Sequence, residues 1–169
     1  MTASPTQLVE RNRSRGILVD TNLLLLFVIG TYDRSRIAMF KRTQSFLPED
    51  FDLLGSLLRN FSRIATTPNV LTEVSNLTTQ LPGALSKEAL GVLASTIEVL
   101  HEQYIPSGRA AANERFSRFG LTDTTILELL SLNRMLVLTD DFSLSQFIEW
   151  AGFDALNFNH IRVLGWNLH

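Results

Sequence analysis

The apolar segment GILVDTNLLLLFVIG, residues 16–30, constrains the fold more than any other part of the chain. Residues 17–19 are short, apolar and mostly β-branched, which predicts a buried strand of a parallel sheet. The polar triplet Asp-Thr-Asn that follows is typical of a helix N-cap, and the leucines behind it predict a helix that ends at Gly30. Asp20 and Asn22 are therefore expected where a buried strand ends and a helix begins.

The same junction of an apolar strand with acidic residues recurs near the end of the chain. Residues 135–138 predict a buried strand, and Thr139, Asp140 and Asp141 follow it directly. These three polar residues are expected to cap a helix over residues 142–151.

Two further acidic residues are expected near strand ends. Residues 63–66 predict a short strand, after which Pro68 opens a helix that carries Glu73 in its second turn. Asp123 lies in the first turn of a helix predicted over residues 121–133.

Short strands that alternate with helices predict an α/β fold with a mostly parallel central sheet of four to five strands. Residues 86–104 are predicted as one amphipathic helix, and residues 153–158 and 161–164 are further strand candidates. We expect a single domain over residues 1–169, in which the polar, arginine-rich residues 1–15 form a flexible N-terminal arm.

The composition of the chain limits the function classes. There are no cysteines, which excludes disulfides, thiolate zinc sites and cysteine nucleophiles. The formal net charge of −2 does not fit a strongly basic nucleic-acid-binding protein. Arginine accounts for 13 of the 15 basic residues, a bias that mildly favours phosphate recognition but that a GC-rich genome explains at least as well.

The start of the chain is polar, without the apolar region of a signal peptide. The apolar run from Ile17 to Ile29 is short for a membrane span and contains Asp20 and Asn22. We therefore expect a cytoplasmic protein with no membrane partner.

Acidic residues at strand–helix junctions are expected to converge. In an open parallel sheet these junctions gather outside the carboxyl ends of the strands. Carboxylates brought together there repel one another unless a divalent cation neutralises them. Oxygen ligands without cysteine or paired histidines favour Mg²⁺ or Mn²⁺ over zinc. Such an ion suits phosphodiester hydrolysis, because it activates water and stabilises charge on the phosphate.

Each acidic residue also has a structural role open to it. Asp123 in a first helical turn contributes a few tenths to about 1 kcal/mol through the helix dipole alone. Asp20 and one of the pair Asp140 and Asp141 are placed as N-caps, and Glu73 would be solvated on its helix. Convergence on one edge is stronger evidence than any single residue, because independent caps have no reason to share an edge.

Four segments of the chain together resemble the PIN domain, a fold of metal-dependent nucleases. They are ILVDTNLLLLF, TTPNVLTEVSNL, GLTDTTILELL and LVLTDDFSL, and they occur in the family's order over most of the chain. The resemblance implies a three-layer α/β/α fold, an acidic Mg²⁺ or Mn²⁺ pocket, and endoribonuclease activity on RNA, chiefly single-stranded but structured RNA as well.

The resemblance also implies the role of each site residue. The implied catalytic groups and metal ligands are Asp20, Glu73, Asp123 and Asp141. Asp141 is preferred over Asp140 because the last acid of the family usually follows a threonine or serine by two positions. Asn22 and Thr139 would orient the carboxylates by hydrogen bonds. Asp140 would lie beside the site without binding the metal, although the choice between Asp140 and Asp141 as the ligand stays open.

The resemblance bears on partners as well. Homodimers are common in the family, and a homodimer is expected here. Many small bacterial PIN proteins are toxins with antitoxin partners, but they are shorter than this chain. The extra helical residues 31–60 depart from that pattern and leave a toxin role and an antitoxin partner open.

Arginines near the mouth of the site are expected to hold the phosphates that flank the cleaved bond. The candidates are Arg34, Arg36, Arg42, Arg115 and Arg118, for which a solvated basic helix face is an equal alternative.

Other readings of the acidic residues fit less well. A two-component receiver domain needs a lysine late in the chain, and none follows Lys87. A haloacid-dehalogenase phosphatase needs an aspartate two positions after the first, where this chain has Asn22. The alternative function that stays open is a non-catalytic PIN-like module that binds RNA or protein and acts through a partner.

Overall fold

Five short parallel strands lie at the centre of the fold. The computed structural model describes residues 3–164, and in that part of the chain the strands are β1 (Ile17–Val19), β2 (Ile64–Thr66), β3 (His101–Glu102), β4 (Leu136–Thr139) and β5 (Asp154–Asn157). Their order in the sheet is β3-β2-β1-β4-β5, and every neighbouring pair is parallel. The predicted sheet of four to five mostly parallel strands is confirmed.

Helices cover both faces of this sheet, which gives a three-layer α/β/α fold. Within residues 3–164 the α-helices are α1 (Pro5–Asn12), α2 (Thr21–Tyr32), α3 (Pro48–Leu58), α4 (Pro68–Thr78), α5 (Ala84–Val99), α6 (Ser107–Ala111), α7 (Phe116–Leu132), α8 (Phe142–Trp150) and α9 (Phe158–Val163). Because crossovers between parallel strands are right-handed, α2 to α5 lie on one face, and α7 and α8 lie on the other. Helix α2 accordingly packs against α3, α4 and α5, and α7 packs against α8.

The two central strands and α2 form the core. Every residue of β1 and β4 is buried, as expected for strands that are covered on both faces. Helix α2 is apolar around almost its whole circumference and is buried accordingly. Gly30 in α2 allows close packing of Phe51, because a Cβ at position 30 would lie 2.3 Å from Phe51 Cδ2.

The strand order creates a topological switch point between β1 and β4. The chain leaves β1 toward β2 on one side, whereas β4 pairs with β1 on the other side. A crevice therefore opens outside the carboxyl ends of these two strands. A helix between parallel strands runs antiparallel to them, so α2, α4, α7 and α8 all begin at this edge.

Residues 5–12, which we expected in a flexible arm, instead form helix α1, so the prediction of an arm was wrong there. Ser4 caps the helix through a reciprocal capping box with Gln7. Leu8 and Val9 are buried against the core. The arm and single-domain predictions also included residues 1, 2 and 165–169, which lie outside the described residues.

Two other segments differ from the sequence-based predictions. The helix predicted to continue to residue 104 ends at Val99, and His101–Glu102 pairs with β2 as strand β3. Residues 161–164, a strand candidate, lie largely in α9, which Asn157 caps through its side chain. Among residues 3–164, every helix is too short or too polar to cross a membrane.

Candidate active site

Asp20 stands at the centre of the acidic edge. Its backbone N–H donates to the Leu138 carbonyl at 3.0 Å, which continues the pairing of β1 with β4. Its carboxylate accepts from the Thr21 N–H at 2.7 Å through one oxygen and from Thr139 Oγ1 at 2.6 Å through the other. The residue is only 7% exposed, and this burial, opposed by the two hydrogen bonds, raises the pKa of Asp20 to about 6. Asp20 is thus both the N-cap of α2 and a member of the acidic edge.

The end of β4 contributes the next three polar residues. Thr139 is fully buried, donates to Asp20, and accepts from the Asp141 N–H at 3.0 Å. One oxygen of Asp141 caps α8 by accepting from the Leu144 N–H at 2.9 Å. Thr139 therefore links the carboxylate of Asp20 to the backbone of Asp141.

Asp140 and Asp141 differ in their neighbours and in the acids on which their charges act. Asn22 Nδ2 lies 3.3 Å from both carboxylate oxygens of Asp140, whose pKa is raised mainly by burial. The negative charge of Asp141 raises the pKa of both Asp20 and Asp123, whereas that of Asp140 acts on Asp20. Of these two acids, only Asp141 acts on Asp123, and the choice of Asp141 over Asp140 as a ligand stays a prediction.

Glu73 reaches the same edge from the second turn of α4. One oxygen accepts from Thr21 Oγ1 at 2.9 Å, and the other accepts from Thr122 Oγ1. Glu73 is thus fixed by one hydroxyl from α2 and one from α7, although the residue itself is exposed. The roles of Thr21 and Thr122 were missed from the sequence, where Thr21 was interpreted only as part of a helix cap.

Asp123 comes from the helix that leads into β4. Helix α7 is broken at Gly120, whose φ of 74° and ψ of −175° are not helical, and Asp123 lies in the first turn after the break. Burial, followed by the charges of Asp20, Asp141 and Glu73, raises the pKa of Asp123 to about 7. The four acidic residues predicted as ligands therefore lie close enough to repel one another.

The side chains around these four acids leave their negative charge without an internal ion pair, as a cation site requires. Among residues 3–164, no lysine, arginine or histidine forms an ion pair with any of the four carboxylates. Acids elsewhere, such as Asp154, Asp52 and Glu128, pair with arginines. Asp20, Glu73 and Asp141 are instead held by hydroxyl or N–H donors, which orient a carboxylate without an opposing full charge. Asp123 accepts no hydrogen bond from the described residues. Their net negative charge thus stays open to an external cation.

The spacing of the carboxylates indicates how such an ion would be held. In the part of the chain that the structure describes, no three acidic or histidine side chains are close enough to hold a metal ion as they stand. Mg²⁺ commonly binds through one or two carboxylates and keeps several waters. The donor set fits an ion that is held directly by one or two of these acids and through water by the others.

Two of these acids, Glu73 and Asp123, line an open groove. Its volume is about 560 Å³, within the usual range for ligand sites. Glu73, Asp123, Asn69, Tyr104 and Phe119 are among the residues that line it. Tyr104 follows β3, the strand that was missed from the sequence, so the groove was missed with it.

Arg115 and Arg118 lie beside the acidic edge. Arg118 Nη2 donates to Ser143 Oγ at 3.0 Å, two residues after Asp141. The Arg118 guanidinium carbon lies 4.7 Å from the ring centre of Phe119, and that of Arg115 lies 5.3 Å from the ring centre of Phe147. Arg115 also pairs with Glu114 at 2.9 Å, and RNA contacts by Arg115 and Arg118 stay a prediction.

The other arginines predicted to bind RNA lie elsewhere. Arg34 and Arg36 follow the end of α2, about 18 Å along the helix axis from the end that Asp20 caps. Arg34 pairs with Asp52 at 2.6 Å, Arg36 pairs with Asp33 at 3.5 Å, and Arg42 Nε donates to the Gln80 side chain. The structure does not bring Arg34 and Arg36 to the acidic edge, and RNA contacts by these three residues stay a prediction.

Comparison with known proteins adds no family assignment. No family model matches the chain, and no curated protein matches it. The resemblance to the PIN domain therefore stays a prediction that rests on the four sequence segments.

Proposed function

We propose that this chain is a metal-dependent endoribonuclease of the PIN-domain type, which hydrolyses phosphodiester bonds of single-stranded RNA. The observation that carries the proposal is the convergence of four acids from separate parts of the chain at the switch point of the sheet. Burial raises the pKa of Asp123, and the charges of its three acidic neighbours raise it further, as expected for a cluster that a divalent cation would neutralise.

Mg²⁺ or Mn²⁺ bound there would supply charge for the phosphate oxygens and lower the pKa of a water molecule. Asp20 and Asp123 would hold the ion, because they are the most central of the four acids and the least solvated. Glu73 and Asp141 would act directly or through water. Thr139 and the two threonines on Glu73 would keep the carboxylates in place, since their hydrogen bonds fix the side-chain torsions.

The two arginines beside the site supply the RNA contacts of this proposal. Arg115 and Arg118 stack on phenylalanine rings, which restricts their guanidinium groups before any phosphate arrives. Phosphate contacts of this kind position a strand without reading its sequence.

The test combines Mn²⁺ binding with RNA cleavage. Calorimetric titration of the parent with Mn²⁺ should show binding, and the same protein should cleave labelled single-stranded RNA. Asp123→Asn should lose both properties and stay folded, because the carboxyl gains no stabilising hydrogen bond in the structure.

Glu98→Gln is the matched control, since it neutralises an exposed carboxylate on α5, outside the acidic edge. This control should bind Mn²⁺ and cleave like the parent. A parent that binds no Mn²⁺ at millimolar concentration, or an Asp123→Asn variant that still cleaves, would refute the proposal. The first result would favour the non-catalytic binding module.

A further inference from the structure

Tyr104 is an exposed aromatic residue beside the acidic edge. Its side chain is 71% exposed, and its ring packs against no other aromatic ring among residues 3–164. It lies two residues after β3, so the parallel sheet brings it to the same edge as Asp20. A large ring at this place contributes little to the core, which leaves its face open to a ligand.

The ring lines the same groove as two of the site acids. Glu73 and Asp123 line the groove together with Tyr104 and Ile105. The groove also contains Asn69, whose side chain forms no hydrogen bond with any residue of the described part. Acidic groups, an exposed ring and a free amide thus share one open space of about 560 Å³.

We propose that Tyr104 stacks against an unpaired base of the RNA strand, next to the phosphate that is cleaved. This inference rests on the proposed nuclease function and identifies the part of the substrate that the groove holds. A bare phosphate is disfavoured in the groove, because Glu73 and Asp123 are negative. A neutral base has a π-face for the ring and polar edges that can meet Asn69.

Stacking on Tyr104 also accounts for a preference for single strands. A base in a duplex is already stacked and paired, whereas a base in a single strand can be turned out onto an aromatic side chain. The groove would therefore select unpaired RNA through Tyr104, while the arginines hold phosphates of any sequence.

The experiment compares the parent with Tyr104→Ala and Tyr104→Phe. The probe is a labelled single-stranded RNA of about ten nucleotides, together with a series in which one nucleotide at a time lacks its base. Binding is measured by fluorescence anisotropy with Ca²⁺ in place of Mn²⁺, and cleavage is measured in single turnovers with Mn²⁺. Val99→Ala, which shortens an exposed apolar side chain at the end of α5, controls for the loss of surface area.

Tyr104→Ala should weaken RNA binding by roughly 5- to 150-fold, whereas Tyr104→Phe and Val99→Ala should bind like the parent. In the parent, removal of the base at one position should cause a comparable loss. The alanine variant should be insensitive to that removal, because the partner of the base is already gone.

Equal binding by the parent and Tyr104→Ala, or an equal effect of each missing base in both proteins, would overturn the stacking site. Cleavage by the parent together with unchanged cleavage by Tyr104→Ala would overturn it and leave the nuclease proposal intact. RNA binding that depends on Tyr104, in a parent that never cleaves, would support the stacking site and refute the nuclease.

Discussion

Replacement of Asp123 by asparagine should make the metal-free protein more stable at pH 8. The raised pKa of Asp123 means that the folded chain binds its proton more tightly than the unfolded chain does. The resulting stabilisation is complete below pH 3.8, the ordinary pKa, and is lost as the pH rises through about 7. Asparagine has no proton to lose, so the variant does not suffer this loss.

The magnitude follows from the size of the pKa shift. A change from 3.8 to about 7 corresponds to at most about 4 kcal/mol, at about 1.4 kcal/mol per pH unit. Because the residue is partly exposed, solvent screening reduces this to about 1–2 kcal/mol. For a chain of 169 residues, that is a rise of about 2–8 °C in Tm.

The assay is thermal unfolding followed by circular dichroism at pH 4.5 and pH 8 in the presence of a chelator. The difference between Asp123→Asn and the parent should be large at pH 8 and small at pH 4.5, whereas Glu98→Gln should match the parent at both. Added Mn²⁺ should stabilise the parent at pH 8 but not the Asp123 variant.

If Asp123 has only a structural role, its replacement should lower the stability of the protein instead of raising it. If the carboxylate only interacts with the helix dipole, its loss should destabilise the protein by a few tenths to about 1 kcal/mol. An Asp123→Asn variant that melts at or below the parent's Tm at pH 8 would therefore refute the electrostatic account.

Three further substitutions test the parts around the acids. Thr139→Val should reduce Mn²⁺ affinity about 10- to 100-fold in calorimetry, because Asp20 loses the donor that orients it; unchanged affinity would show that the hydroxyl has no such role. Arg118→Ala should weaken RNA binding and lower the salt slope by about 1 while leaving Mn²⁺ binding intact; an unchanged salt slope would place Arg118 away from the RNA. Gly30→Ala should cost about 1–3 kcal/mol in urea unfolding, since the new Cβ would meet the ring of Phe51; parental stability would mean that the ring moves aside at little cost.

The central part of the fold was predictable because its signals are local and strong. The buried strands β1 and β4 are apolar runs, each followed at once by residues that cap a helix. Parallel pairing then requires their carboxyl ends to meet, so the neighbourhood of Asp20 and Asp141 followed from the predicted strands alone.

The periphery was not predictable because tertiary contacts determine it. Strand β3 consists of two exposed polar residues, His101 and Glu102, and exists only because β2 offers an unpaired edge. The sequence of helix α1 is polar and resembles a flexible arm. Only the tertiary structure shows that Leu8 and Val9 are buried in the core. Thr21 was placed correctly at a helix start, but nothing local shows that its hydroxyl and that of Thr122 are directed at Glu73.

The contrast between the acids inside and outside the site supports an external cation over a structural role. Carboxylates that only cap or brace a fold gain most from a nearby arginine, and Asp154 and Glu128 have one. Asp20 is more buried than either and is bonded to an N–H and a hydroxyl, while the charges of Asp140 and Asp141 act against its ionisation. A fold in which a buried acid is surrounded by other acids is less stable than one in which that acid has an internal ion pair. This loss of stability is explained if the negative charge serves to bind a cation. A cation that binds only the folded chain restores the lost stability.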